Sequence, residues 1–246
     1  MNKIKKIIKK IIPIKYQKLF IKMKSIFFDI YAIKSYSQEG EDIILRRILG
    51  EKKTAGFYID VGAHHPKRFS NTYHFYKKGW RGINIDAKPG CTEIFRKIRP
   101  RDINLEFAIS DKRQNLIYYC FNEPALNGFS KTLSIERNKK DEYKIIDEIK
   151  IETLTLAEVL DTYLPSDTTI DFLSVDVEGL DFQVLTSNDW SKYRPNIVLV
   201  EDLIFSYDSP DNSKIYKFLM DKGYHLIAKT MNTVFYINDS FIIGGS

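Results

Sequence analysis

Apolar residues recur along this chain with two alternating periods. From Gly56 onward, short and nearly continuous apolar runs are separated by stretches with the 3.6-residue spacing of amphipathic helices. The runs predict strands at 57–61, 82–86, 103–109, 116–121, 170–176, 196–201, 224–229 and 233–237. The spaced stretches predict helices at 70–78, 90–97, 155–163, 179–187 and 212–221. Such an alternation implies an α/β fold: a Rossmann-like, doubly wound, mostly parallel sheet covered on both faces. The last two runs, "YHLIAKT" and "TVFYIND", predict an antiparallel C-terminal hairpin at one edge. Upstream, "SQEGEDIILRRILG" reads as a helix capped by Ser37, with Ile43, Ile44, Leu45, Ile48 and Leu49 as its buried stripe and Gly50 as its stop. Residues 122–150 are long, polar and charged between strands, the composition of a lid or binding segment.

Before this alternation lies a different kind of sequence. "IKKIIKKII" places apolar residues at 4, 7, 8, 11 and 12 with lysines opposite, and Pro13 ends the pattern. Residues 1–34 hold ten lysines and one acid, Asp29. The chain's formal net charge is +6, so the rest of it is slightly acidic. We therefore expect a basic amphipathic arm over 1–35 and one domain over 36–246. The arm has two readings: an interfacial helix on anionic lipid, or a helix docked on protein with its lysines solvated. Basic groups confined to an arm argue against a nucleic-acid-binding face. No apolar run approaches the roughly 18 residues of a membrane span. Cys91 and Cys120 lack metal-ligand spacing, and the lysines interleaved with isoleucine do not make a secretory leader. Free thiols and a cytoplasmic location, with peripheral contact at the inner face of the membrane through residues 1–34, are the expectation.

Three acids end predicted strands: Asp60, Asp86 and Asp176. In an open parallel sheet the ligand crevice lies beyond those strand ends. Asp86 follows Asp60 by 26 residues, close to the roughly 20-residue offset at which an acid meets ribose hydroxyls. Capping of the next helix is the plain alternative for each acid. The turn after Asp60, "DVGAHHP", has one glycine, two imidazoles and a proline without an N–H. It makes a poor cradle for the pyrophosphate of a dinucleotide, which needs close backbone N–H groups. An adenosine ligand with an amino-acid tail in place of phosphate suits it better, and S-adenosylmethionine is such a ligand.

The blocks "SQEGEDIIL", "FYIDVGAHHPKRFSNTYHFYKKGWRGINIDAKPG", "EPALNGFS" and "FLSVDVEGLDFQVL" together resemble the FkbM family of S-adenosylmethionine-dependent methyltransferases, over roughly residues 36–205. The resemblance implies a class I methyltransferase fold and O-methylation, often of surface-polysaccharide sugars. It also implies that Asp60, Gly62 and Ala63 approach the methionine portion and that Asp86, with Ala87, holds the ribose. Ala108, Ile109, Ser110 and Asp111 would lie near adenine, and Gln38 would help hold the methionine end. Glu123, Asn127 and Ser130 match a family block and would line the acceptor side.

An alcohol must lose its proton as it attacks a methyl group, so a base is required. His65 is our preferred candidate, with His64 beside it. A histidine fixing the odd turn is the competing reading, and His74 and His225 read as structural. Asp176 and Glu178 form the other acid–base pair. With Glu201 and Asp202 they could also gather a divalent cation, or Asp176 and Glu178 could simply cap a helix. Lys67 and Arg68 precede a predicted helix start at Ser70, an anion site for the diphosphate of a nucleotide-linked sugar, or else a solvated pair. A nicotinamide-dependent sugar oxidoreductase and a non-catalytic membrane-associated scaffold are the alternatives to a carbohydrate O-methyltransferase.

Overall fold

The computed structural model describes residues 13, 14, 16, 23, 25–51 and 53–242. The chain forms two compact units, Met1–Lys34 and Ser35–Ser246. In the first, the described residues include a helical stretch at 25–27; the predicted amphipathic helix at 4–12 lies outside the described residues. Among the described residues no helix is long and apolar enough to cross a membrane.

The second unit opens with helix α1 (Glu41–Leu49). Its first-turn Asp42 is fully buried and accepts hydrogen bonds from Ser35 Oγ at 2.6 Å, Tyr36 N at 3.0 Å and Ser37 Oγ at 3.0 Å. Ser37 Oγ also accepts from Asp42 N at 3.2 Å, so it serves the helix start although the helix itself begins after Gly40. The strands follow: β1 (Phe57–Val61), β2 (Arg81–Asp86), β3 (Ile103–Glu106), β4 (Ala108–Ile109), β5 (Asn115–Phe121), β6 (Ile145–Leu154), β7 (Phe172–Val175), β8 (Ile197–Glu201), β9 (Tyr224–Lys229) and β10 (Thr233–Asn238). Between them lie α2 (Tyr73–Lys77), α3 (Cys91–Ile98), α4 (Lys131–Asn138), α5 (Leu156–Tyr163), α6 (Asp181–Thr186) and α7 (Lys214–Asp221).

Seven strands build one sheet in the order β3-β2-β1-β7-β8-β10-β9. All its pairings are parallel except those of β10 with β8 and with β9. The pleat sorts side chains between two cores. Ile59, Val61, Ile83, Ile85, Leu173, Val175, Val198 and Val200 face one way, against Leu156, Val159 and Leu160 of α5, Val184 and Leu185 of α6, and Leu219 of α7. Tyr58, Phe172, Ile197, Leu199, Phe235 and Ile237 face the other, against Leu45, Ile48 and Leu49 of α1 together with Phe75, Tyr76 and Trp80. The order of strands reverses between β1 and β7, which places the ligand crevice beyond their carboxyl ends.

Two expectations about local structure need correction. The apolar run 103–109 is broken at Phe107, whose N–H donates to Asp86 O at 3.1 Å, so β3 joins the large sheet and β4 a second one, ordered β4-β6-β5. The polar stretch 122–150 is only partly a loop. It contains a 3₁₀ turn (Pro124–Leu126), then α4 capped by Ser130, then the start of β6, which pairs antiparallel with β5. In "IIDEIKIETL" apolar and charged residues alternate, the pattern of a half-exposed strand that charge content had obscured.

Candidate functional site

A cavity of about 240 Å³ opens beyond the carboxyl ends of β1, β2, β7 and β8. This is somewhat below the roughly 300–1,000 Å³ usual for small-molecule sites. The sequence candidates Gln38, Gly62, His64, Asp86, Ala87, Asn127, Asp176 and Glu178 all line it. Asp60, Ala63, His65, Lys67, Arg68, Ser110 and Glu123 do not.

On the β1–β2 side, Asp86 is the fixed element. Its Oδ2 accepts from His64 N at 2.7 Å and its Oδ1 from Lys88 N at 2.8 Å. Each oxygen keeps a lone pair for a ligand hydroxyl. Burial holds this carboxyl above its ordinary range, and the two backbone donors oppose that shift. The turn itself has no N–H to offer. Gly62 N and Ala63 N donate to Ile85 O at 2.9 and 3.1 Å, His65 N donates to Ala63 O, and Pro66 has none. Gly62 is required for another reason. Its φ is +86°, and a Cβ there would stand 1.7 Å from Asp176 O, so this glycine lets β1 pass against the end of β7.

Asp60 turns away from the cavity. It belongs to β1, where the pleat sends it to the Tyr58 face, and its Oδ2 accepts from Thr72 Oγ1 at 2.8 Å. Thr72 Oγ1 in turn accepts from Arg99 Nη1 at 2.9 Å. Ser110 and Ala63 are buried, with Ser110 N donating to Leu154 O at 2.9 Å. By the same alternation Phe107 and Ile109, on either side of Ala108, reach the cavity wall.

The two histidines differ. His65 Nδ1 accepts from both Lys67 N and Arg68 N at 3.0 Å. That occupies the ring's basic lone pair and leaves the proton on Nε2, which disfavours His65 as a base. His64 adopts φ +50° and lines the cavity, while its Nε2 is sealed without a partner. Burial, then Arg68, His65 and Lys88, push its imidazole down to about 4, so the ring is neutral at physiological pH. Arg68 pairs with Glu123 at 2.9 Å, which joins two acceptor-side candidates to each other at the surface. Lys67 lies over the Tyr73 ring at 5.8 Å. The following helix α2 begins after Thr72; Ser70 Oγ accepts from Tyr73 N at 3.1 Å.

On the β7–β8 side the cavity is acidic. Asp176 follows β7, Glu201 ends β8, and Glu178 adopts φ +55° in the loop between β7 and α6. Arg137 of α4 donates to Glu178 Oε2 at 2.6 Å. Burial, then the charges of Glu201 and Glu178, hold Asp176 well above the usual carboxylate range. Its side chain reaches solvent through the cavity, and the like-charge neighbours act on it even so. Burial, then Glu178 and Asp181, push Glu201 up to about 8 against the pull of Arg137. Asp202 points elsewhere, accepting from Ile204 N, Phe205 N and Ser213 Oγ. Among the described residues, no group of three or more His, Cys, Asp or Glu could hold a metal ion.

The blocks 127–130 and 177–180 are interlocked. A Cβ on Gly128 would meet Glu178 Cβ at 2.7 Å, and one on Gly179 would meet Ser130 Cβ at 2.5 Å. Asn127 Oδ1 accepts from Phe121 N at 2.8 Å. With Phe129, Tyr118 and Arg137, Asn127 of this segment lines the cavity.

The sequence over residues 60–226 matches the methyltransferase FkbM domain. The chain belongs to the FkbM methyltransferase family. Its sheet order and antiparallel edge are those of the class I methyltransferase fold. No curated protein matches the chain. As an FkbM methyltransferase it carries wall residues that local sequence reasoning passed over: Lys88, Phe107, Tyr118, Phe129, Arg137, Leu203 and Asn232. Phe107 was findable, since it interrupts a strand next to the expected adenine residues. Arg137 gave no local signal, because its partner is 41 residues away.

Proposed function

We propose that this methyltransferase uses S-adenosylmethionine to methylate a hydroxyl of a carbohydrate, such as a nucleotide-linked sugar or a surface-polysaccharide precursor. The observation that carries the cofactor half is the Asp86 carboxylate, held by two backbone N–H groups at a turn whose own N–H groups are consumed. That donor set suits a ribose diol without a pyrophosphate, which also separates it from a nicotinamide ligand. Asp86 would accept from the ribose hydroxyls, Phe107 and Ile109 would flank the adenine, and Gln38 stands at the rim for the methionine end. The bound cofactor supplies an electrophilic methyl group with a good leaving group already attached.

The protein's remaining work is positioning and proton removal. Orienting two reactants contributes roughly 7–11 kcal/mol, and a placed base about 10²–10⁴-fold in rate. Asp176 is the base this geometry favours, since it is open to the cavity while Glu178 is tied to Arg137 and His65 to the turn. Asn127 and Lys88 provide polar contacts for an acceptor rich in hydroxyls. The test is transfer of label from methyl-labelled S-adenosylmethionine to a panel of nucleotide sugars and polysaccharide fragments. We expect base-stable incorporation, as in an ether. Base-labile label would move the acceptor to a carboxylate. Saturable NADH binding in place of S-adenosylmethionine binding would overturn the reading.

A further inference from the structure

The acidic wall has a geometry that chance crowding does not explain. Strands β7 and β8 are parallel neighbours with Val175 opposite Val200, so Asp176 and Glu201 come next on each strand, side by side. Both line the cavity. The charged groups acting on them come from every direction. Glu178 and Asp181 follow from the β7–α6 loop and α6, Asp60 lies on β1, Glu39 precedes α1, and Arg137 reaches over from α4. Arg137 is bonded to Glu178, so its charge is largely balanced before it reaches the pair. Glu39 accepts from Asn232 N at 3.0 Å, and Asp181 accepts from Val177 N and Gly179 N, so both are held in place as acceptors. Two adjacent carboxyl groups in such surroundings titrate as a unit, each disfavouring the ionisation of the other.

We propose that Asp176 and Glu201 carry a proton in the ligand-free protein and release it when a cationic group enters the cavity, so that the site prefers the sulfonium of S-adenosylmethionine to the neutral thioether of S-adenosylhomocysteine. This inference rests on the cofactor reading above. The proton goes to solvent, and no bond other than O–H is broken. Release leaves a carboxylate beside the incoming acceptor, so cofactor binding itself prepares Asp176 as the base. Once the methyl group has left, the sulfur is neutral, the proton returns and the product is held less tightly. A positive charge within about 4–6 Å lowers a carboxyl pKa by roughly 1–3 units, and each unit is about tenfold in linked affinity.

Calorimetric titration of the full chain near neutral pH, in two metal-free buffers of different ionisation enthalpy, reads this directly. The sulfonium also lowers the α-amino pKa of S-adenosylmethionine, so each free ligand is titrated in the same buffers and its own protons are subtracted, leaving those of the protein. We expect S-adenosylmethionine to release more protons than S-adenosylhomocysteine and to bind roughly tenfold or more tightly, with that ratio growing as pH rises towards 8. In Glu201→Gln the excess release disappears and the ratio no longer changes with pH. In Asp176→Asn combined with Glu201→Gln the ratio falls towards one. Equal proton counts for both ligands in the unaltered protein, which requires no variant to fold, would overturn the pair's role while leaving the cofactor assignment standing. Failure of both ligands to bind would overturn both.

Discussion

Two clusters of acids lie on the same sheet, one buried and one facing the cavity, and are treated in opposite ways. Beneath β1 and β2, Arg99 is completely buried and donates to Asp102 Oδ2 at 2.8 Å, Tyr58 OH at 2.8 Å and Thr72 Oγ1 at 2.9 Å. Asp102 also accepts from Gly82 N and Asn84 Nδ2, both at 3.1 Å, and Thr72 passes the arrangement on to Asp60. There each carboxyl group is held by several donors, and Arg99 lies between Asp102 and the Thr72–Asp60 pair. At the ends of β7 and β8, Asp176, Glu178 and Glu201 share one arginine, Arg137. The first cluster is closed on itself, away from the cavity, and acts as framework. The second is left with excess negative charge, and its natural complement is a cation that arrives from outside.

The contrast can be broken most sharply from the framework side. Arg99→Met should cost about 3–5 kcal/mol, because Asp102 is left as an uncompensated buried charge, and denaturant unfolding will read it. A cost below about 1 kcal/mol would mean that the network is not electrostatically matched. Gly62→Ala should cost roughly 2–5 kcal/mol from its positive φ and the collision with Asp176 O, and it should damage cofactor binding as well, since it displaces the β7 end. Asp86→Asn should cost about 1 kcal/mol of stability, because one amide oxygen cannot serve the N–H groups of both His64 and Lys88, and should weaken S-adenosylmethionine binding by roughly 10–100-fold through the loss of charge-assisted hydrogen bonds. Unchanged affinity would remove Asp86 from the ribose.

The smaller effects separate the acid cluster from the turn. Glu201 has its folded pKa raised to about 8, above its ordinary value, so the fold favours its protonated form. Its contribution to stability is intact at low pH and is lost as pH rises from about 4.5 towards 8. Glu201→Gln should therefore raise the melting temperature by roughly 2–4 °C at pH above about 8, with no gain near pH 4. A gain of the same size at both pH values would point to packing. Finally, His65→Ala should lose about 1 kcal/mol of stability through the freed N–H groups of Lys67 and Arg68, with turnover within a few-fold of the parent. A hundredfold loss of turnover with unchanged stability would return the proton to His65.

The sheet was legible because apolar runs in a parallel sheet depend on burial alone, and burial is written in residue type. Among the acids read as ending strands, those that face the cavity stand at or beyond the last residue of their strand. Asp86 and Asp176 meet that condition and line the cavity. Asp60 is one residue inside β1, and the pleat therefore hands it to the opposite face, a distinction that the strand boundary decides. The partnership of Arg137 with Glu178 and the neighbouring of Asp176 and Glu201 depend on which strands and helices lie together. No spacing along the chain announces that. Strand β6 was obscured because four of its ten side chains are charged and solvated, so its alternation looked like loop composition.

The interlock of residues 127–130 with 177–180 constrains how this protein can diverge. Gly128 leaves no room for a side chain against Glu178, and Gly179 leaves none against Ser130. A side chain at either glycine meets the backbone or Cβ of the other segment, so these two positions constrain how both stretches can drift. New acceptor preferences in descendants of this chain would then arise from the freer walls, at Leu203 and Asn232, sooner than from the interlocked one.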